Sequence, residues 1–194
     1  MPKGIDVNNL LRPVRDVALQ AYFGRGLHTL GLLAWLLPQT GKADVWVSSY
    51  STSEPFLNGF YLLQKKGLIR HSAILLDQRA AKKTLHLERL LSSAVEHVFM
   101  GQNHSKLLLV RNSQISVAVV TSQNQTYGAR AESTIITTDK SVFDVLMQQF
   151  VDICSSGSVE INVKDGTGII EKNRRSCKTP SDTFADWKPF GVEW

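Results

Sequence analysis

Between residues 43 and 101, three apolar runs alternate with two stretches of helical character, and this alternation constrains the chain more than any other feature. ADVWVSSYS is rich in β-branched and aromatic residues and is entered through Thr40-Gly41-Lys42, so it reads as a strand. SAILLD is a short unbroken apolar run, and AVEHVFM is a third strand. After the first run, Ser51 or Ser53 is placed to cap a helix with Glu54 and Pro55 in its first turn. That helix runs to about Gln64 and is closed by Lys65-Lys66-Gly67. A second helical stretch covers residues 80–91. Strand, helix, strand, helix, strand at these lengths predicts parallel pairing with crossover helices, hence an α/β fold.

Further on the pattern changes. Residues 106–110 and 115–120 are two apolar strands joined by the polar turn Arg111-Asn112-Ser113-Gln114, a hairpin. STIITT is a further strand. Asp139 or Ser141 then caps the helix VFDVLMQQFVDIC, which stops at Ser155-Ser156-Gly157. Parallel units followed by a hairpin predict a mixed β-sheet flanked by helices. Upstream, Leu10, Val14, Val17, Ala18 and Ala21 fall on one helical face, and LHTLGLLAWLL reads as a second helix ending at Pro38. This second segment suits burial in a partner subunit or in the protein's own core equally well. The expected organisation is an N-terminal helical segment over 1–40, a catalytic domain over 41–156 and a C-terminal extension over 157–194. In the extension VEINV suits a strand, EKNRRSCK is basic and exposed, and DWKPFGVEW, with two tryptophans, is expected to pack on the domain.

Composition narrows the function. At 194 residues the chain is most simply one domain with a terminal extension. A net charge of +5 suits a polyanionic partner, and equally serves solubility alone. Cys154 and Cys177 have no metal-binding spacing, so no metal is expected. The N-terminus lacks a basic start followed by an unbroken apolar stretch. The longest apolar run, residues 27–37, is shorter than the ~20 residues a membrane span needs. The expectation is a cytoplasmic protein with free thiols and no membrane association.

The hairpin carries the chemistry. Residues two apart on a strand face the same side, so His104 and Lys106 share a face at the start of the first strand. Ser122 and Asn124 lie just past the end of the second strand. In an antiparallel hairpin those two ends adjoin, so all four groups converge. Lysine charge, a hydroxyl and a carboxamide make a cradle for a tetrahedral oxyanion. Histidine beside them can attack as a nucleophile or pass protons near neutral pH.

His104-Ser105-Lys106, an apolar strand, a turn, a second apolar strand and Thr121-Ser122-Gln123-Asn124 resemble the His-x-Lys…Ser-x-Asn motif of the phospholipase D superfamily. Glu132 before STIITT matches the acid often found downstream, and the strand and helix order over residues 42–153 also matches. The position occupied by Asp in the family pattern is Arg111 here, and its Gly is Thr121. The resemblance implies a phospholipase D-like fold and cleavage of phosphodiesters without metal or other cofactor, through a phosphohistidine. It assigns His104, Lys106, Ser122, Asn124 and Glu132 to catalysis, with Glu132 orienting a histidine. The family chemistry uses two motifs, yet His28, His71, His86 and His97 each lack a Lys two residues on. A homodimer with a composite active site resolves this. Net positive charge and the missing signal favour a nuclease acting on DNA or RNA. Arg111, Lys65, Lys66 and Arg130 are the foremost candidate nucleic-acid contacts, with Arg70, Lys82, Lys83 and the basic stretch 172–178 behind them. The alternatives are a catalytically impaired nucleic-acid-binding module and a phospholipid phosphodiesterase.

Overall fold

A computed structural model describes residues 6–125 and 130–161. They form β1 (Leu19–Gly24), α1 (Thr29–Thr40), β2 (Ala43–Ser49), α2 (Glu54–Lys65), β3 (Ile69–Asp77), α3 (Ala81–Leu85), α4 (Glu88–Ala94), β4 (His97–Gly101), β5 (Leu107–Arg111), β6 (Ser116–Thr121), β7 (Glu132–Thr137), α5 (Lys140–Ser156) and β8 (Ser158–Glu160). The strands make one mixed sheet in the order β1-β7-β6-β5-β2-β3-β4-β8. The pairs β2–β3 and β3–β4 are parallel and every other pair is antiparallel. The α/β reading therefore holds, down to the parallel crossovers and the β5–β6 hairpin.

Two apolar layers explain the strand sequences. On one face Val45, Val47, Ile74, Leu76, Leu108, Val110, Val117 and Val119 pack under α1, α2 and α4. On the other Trp46, Ala73, Leu75, Phe99, Leu109 and Ala118 pack under Phe143, Met147 and Phe150 of α5. Central strands covered on both sides need apolar residues at every position, which is why SAILLD and LLLV are unbroken runs. Gly41 (φ 81°) ends α1 and Gly67 (φ 72°) follows α2, both in the left-handed region where glycine carries no Cβ penalty. Cys154 of α5 is buried, and burial pushes its thiol pKa up to about 12.

The N-terminal reading needs correction. No helix forms over residues 10–21; the chain makes a short turn, Val7–Asn9, and then β1, an edge strand antiparallel to β7. Pro13 lacks the amide hydrogen a helix interior needs. From Leu19 the burial alternates with period two: Leu19, Ala21 and Phe23 face solvent while Gln20, Tyr22 and Gly24 are half-buried. The Gln20 carboxamide closes the intervening loop, accepting from Arg12 N at 2.8 Å and donating to Arg12 O at 2.7 Å. Pro38 does not stop α1, which runs on to Thr40. It removes the hydrogen bond to the Ala34 carbonyl, but both residues lie on the exposed face, where water can take that carbonyl. The buried face of α1, Leu32, Leu33, Leu36 and Leu37, sits in this chain's own core. In the C-terminal extension only β8 lies within the described residues; the basic stretch and both tryptophans of DWKPFGVEW lie outside them.

Candidate active site

The sequence-predicted motif comes together at the carboxyl ends of the parallel strands, the usual crevice of an open α/β sheet. The β5–β6 ladder sets Leu107 opposite Val120, and Thr121 N donates to Lys106 O at 3.1 Å. His104 and Lys106 are adjacent: Lys106 Nζ lies 3.2 Å from His104 Nδ1 and also donates to the His104 carbonyl. The His104 ring is exposed and meets Tyr50 edge-on at 5.6 Å between centroids. Burial lowers the Lys106 pKa, and the nearby Glu132 carboxylate works against that shift.

Glu132 takes a partner other than the expected histidine. Its Oε2 accepts from Ser122 Oγ, and Ser133 N donates to the same hydroxyl at 3.0 Å. The reason is the ladder: Ser122 directly follows β6 and its N donates to Ser133 O at 3.0 Å, one residue from Glu132 at the start of β7. Asn124 lies one step further along the loop. Its Oδ1 is buried without a hydrogen-bond partner, which leaves Nδ2 as the outward end of the carboxamide.

The loop around this cluster is bolted to the ends of β2 and β3. Asn103, just before the motif, is 5% exposed and its side chain and amide reach β2, β3 and Ser105 of the motif itself. Its N donates to Asp77 Oδ2 (2.8 Å); its Nδ2 reaches Ser48 Oγ, Ser49 O and Leu75 O (2.9–3.2 Å). Its Oδ1 accepts from Ser105 N and Ser105 Oγ (3.0 and 2.7 Å). Asn103 thus fixes the residue between His104 and Lys106. Asn103→Ala orphans several of these buried groups at about 1–3 kcal/mol each, partly relieved by water. The expected loss in unfolding free energy is about 3 kcal/mol, read from urea denaturation at pH 7. Gln123 does similar work from the other side. Its Oε1 accepts from Thr29 N at 2.9 Å, capping α1, and its Nε2 lies 3.2 Å from His28 Nδ1. Neither Asn103 nor Gln123 was flagged by the motif, although both sit inside or beside it.

Other expected contacts lie elsewhere. Arg111 ends β5 opposite Asp44, five residues from Lys106 and therefore about 17 Å along the strand. Its guanidinium lies 5.4 Å from the rings of both Trp46 and Phe143, and burial lowers its pKa, with Asp144 and Asp44 opposing. The Asp-to-Arg departure therefore falls outside the cluster. Lys65 and Lys66 lie at the C-terminal end of α2, with Lys65 Nζ 5.2 Å from the Tyr61 ring. The opposite end of α2, at Ser53, is the end that touches the site loop, roughly 18 Å away. Arg70 is engaged by Asp44 in a bidentate pair at 2.7 and 2.6 Å. Arg130 is exposed and precedes Glu132 by two residues, at the site end of the sheet. Among the described residues no three His, Cys, Asp or Glu side chains group as a metal site, and no helix is long and apolar enough to cross a membrane.

No protein-family profile and no curated protein sequence matches the chain. Solved structures do. Nuc from Salmonella typhimurium, described as a phospholipase D family member, aligns at 16% identity and a TM-score of 0.53, over 74% of this chain and 98% of its own. NucT from Helicobacter pylori aligns at 14% identity and 0.53, over 72% and 98%. A phosphatidylserine synthase from Haemophilus influenzae aligns at 12% identity and 0.52, over 74% and 39%. The fold is phospholipase D-like.

Proposed function

We propose that the protein is a metal-independent phosphodiesterase, a nuclease acting on DNA or RNA, that works as a homodimer with one composite active site. The observation that carries this reading is the adjacent pair of His104 and Lys106 at the exposed carboxyl end of the sheet, with the Ser122–Glu132 pair beside it. The phospholipase D-like fold supports it. An imidazole nitrogen of one His104 attacks phosphorus, and the P–O bond to the leaving oxygen breaks. The imidazolium of the second copy's His104 protonates that oxygen. Water, deprotonated by the same second imidazole, then displaces the phosphoryl group from the first. Lys106 and the Nδ2 of Asn124 hold the non-bridging oxygens, which gain charge in each transition state. In the free protein Lys106 donates to His104; an arriving phosphate competes for those hydrogens and releases Nδ1.

A second copy is needed because the chain has one His-x-Lys. A surface for it adjoins the site. Ala21, Ile135 and Val120 follow one another across β1, β7 and β6, and Leu19 and Phe23 share the face of Ala21. Leu19 is 66% exposed, Phe23 80%, Val120 42% and Ile135 49%. Arg130 at the same end is a candidate phosphate contact. Acid-quenched protein incubated with an oligonucleotide is expected to carry a covalent phospho-adduct on His104, detected by peptide mass spectrometry. Retained oligonucleotide affinity with no adduct, and no cleavage, would point to a binding module instead; turnover of lipid vesicles alone would point to a lipid phosphodiesterase.

A further inference from the structure

Beside the motif asparagine, three residues hold four buried polar atoms without partners. They are Thr52 Oγ1, Asn124 Oδ1 and both Gln125 Nε2 and Oε1, and no other described side chain leaves a buried polar atom unpaired. Thr52 and Gln125 are 1% and 2% exposed. The backbone around them is firmly held. Thr52 and Gln125 form an isolated parallel bridge, Gln125 N donates to Ser49 Oγ at 3.1 Å, and Ser53 Oγ donates to Gln125 O at 2.9 Å. A chain that pins Gln125 this tightly while leaving its whole carboxamide unpaired has placed that carboxamide for something else. Asn124 and Gln125 line a cleft with His28 and Phe56 whose cavity volume is about 10 Å³. That is room for one water and far too little for a nucleobase or phosphate.

We infer that this cleft seats one ordered water bridging the Gln125 carboxamide to Asn124 Oδ1, so that Gln125 is the positioning residue for the motif asparagine. A single water can serve both carboxamides: it donates to Asn124 Oδ1 and accepts from Gln125 Nε2. Tethering Oδ1 on the buried side aims Nδ2 outward, where the proposed mechanism needs a donor to a phosphate oxygen. Without the tether the carboxamide can turn over and present an acceptor to an anion. The inference rests on the phosphodiesterase reading for its catalytic consequence, but the water seat stands on the buried atoms alone.

The test uses Gln125→Met, which keeps the volume and removes both hydrogen-bonding groups, in the full-length protein. Expected are a fall in kcat on an oligonucleotide of about 10-fold or more with KM little changed, and a melting temperature at or above that of the wild type. In a double-mutant cycle, Asn124→Ala should add little to Gln125→Met, since both remove the same donor. Gln125→Glu, which loses the amide donor, should behave like Gln125→Met in kcat. Wild-type kcat in Gln125→Met, or effects that add fully with Asn124→Ala, would overturn the positioning role while leaving the nuclease reading intact. A crystal structure of the wild type at a resolution that shows ordered solvent should place a water within hydrogen-bond reach of both carboxamides. Direct Gln125–Asn124 bonding with no water would overturn the seat, even if the protein proves to cleave no phosphodiester at all.

Discussion

In excess EDTA the wild-type protein is expected to cleave DNA or RNA at its full rate, and His104→Ala to cleave at least about 10³-fold more slowly. The two halves of this prediction test different things. EDTA persistence follows from a mechanism in which an imidazole supplies the nucleophile and Lys106 the positive charge, with no step routed through an ion. The loss in His104→Ala follows from the proposed dimer, in which both imidazoles come from copies of one chain, so one substitution removes nucleophile and acid together. His104 is exposed and contributes no core packing, so the variant should unfold at the wild-type urea concentration. EDTA-sensitive cleavage, or cleavage that survives in His104→Ala, would end the proposed mechanism. Lys106→Met should give a loss of similar order, since the charge holding the non-bridging oxygens disappears from both motifs at once.

Much of the architecture was readable because it rests on local pattern. An unbroken apolar run such as SAILLD can be buried on both faces only in the middle of a covered sheet, and β3 lies there. The hairpin convergence needed only the two-residue period of a strand and the adjacency of hairpin ends, and Lys106 duly lies beside Thr121. The N-terminus was misread for the opposite reason. Leu10, Val14, Val17 and Ala21 match a helical period, but β7 has an open edge, and pairing with it sets the conformation of residues 19–24. That edge is distant in sequence and leaves no local mark except the alternation of Leu19, Ala21 and Phe23.

Charges were placed less well than apolar residues, and a strand explains why. Arg111 follows Lys106 by five residues, an odd number, which puts it on the opposite face as well as at the other end. Attention to parity alone would have removed it from the site. Lys65 and Lys66 close a helix whose other end touches the site loop, so helix length separates them from it. Asn103, Ser49 and Gln125 were invisible for a further reason. Their work is to join the ends of β2, β3 and β6, and no linear spacing announces which loop a buried amide will meet. A polar residue flanking a motif, with no solvent-facing reason to be polar, was the available signal.

Phe23→Asp is expected to convert the proposed dimer into a folded monomer without the proposed cleavage activity. The argument begins with exposure. Phe23 is 80% exposed on an edge strand, so an aspartate there meets water and costs the single chain little. The same position on a two-fold interface is used twice. Burying a phenylalanine contributes about 2 kcal/mol, so removing two loses about 4 kcal/mol before the desolvation of two carboxylates is added. That weakens dimerisation by about 10³-fold or more, enough to shift a micromolar sample to monomer. The face is suited to this role because α5 packs over β6, β4 and β8 and leaves Leu19, Phe23 and Ile135 uncovered. It also borders the cluster directly: Phe23 pairs with Ser133, and Ser133 donates to Ser122. Sedimentation velocity on wild type and variant, with cleavage assayed on the same samples, separates the outcomes. A Phe23→Asp protein that stays dimeric and active puts the two-fold contact on another surface. A wild type that is monomeric at assay concentration yet fully active denies that a second copy completes the site, because one chain would then be supplying every group the phosphoryl transfer uses.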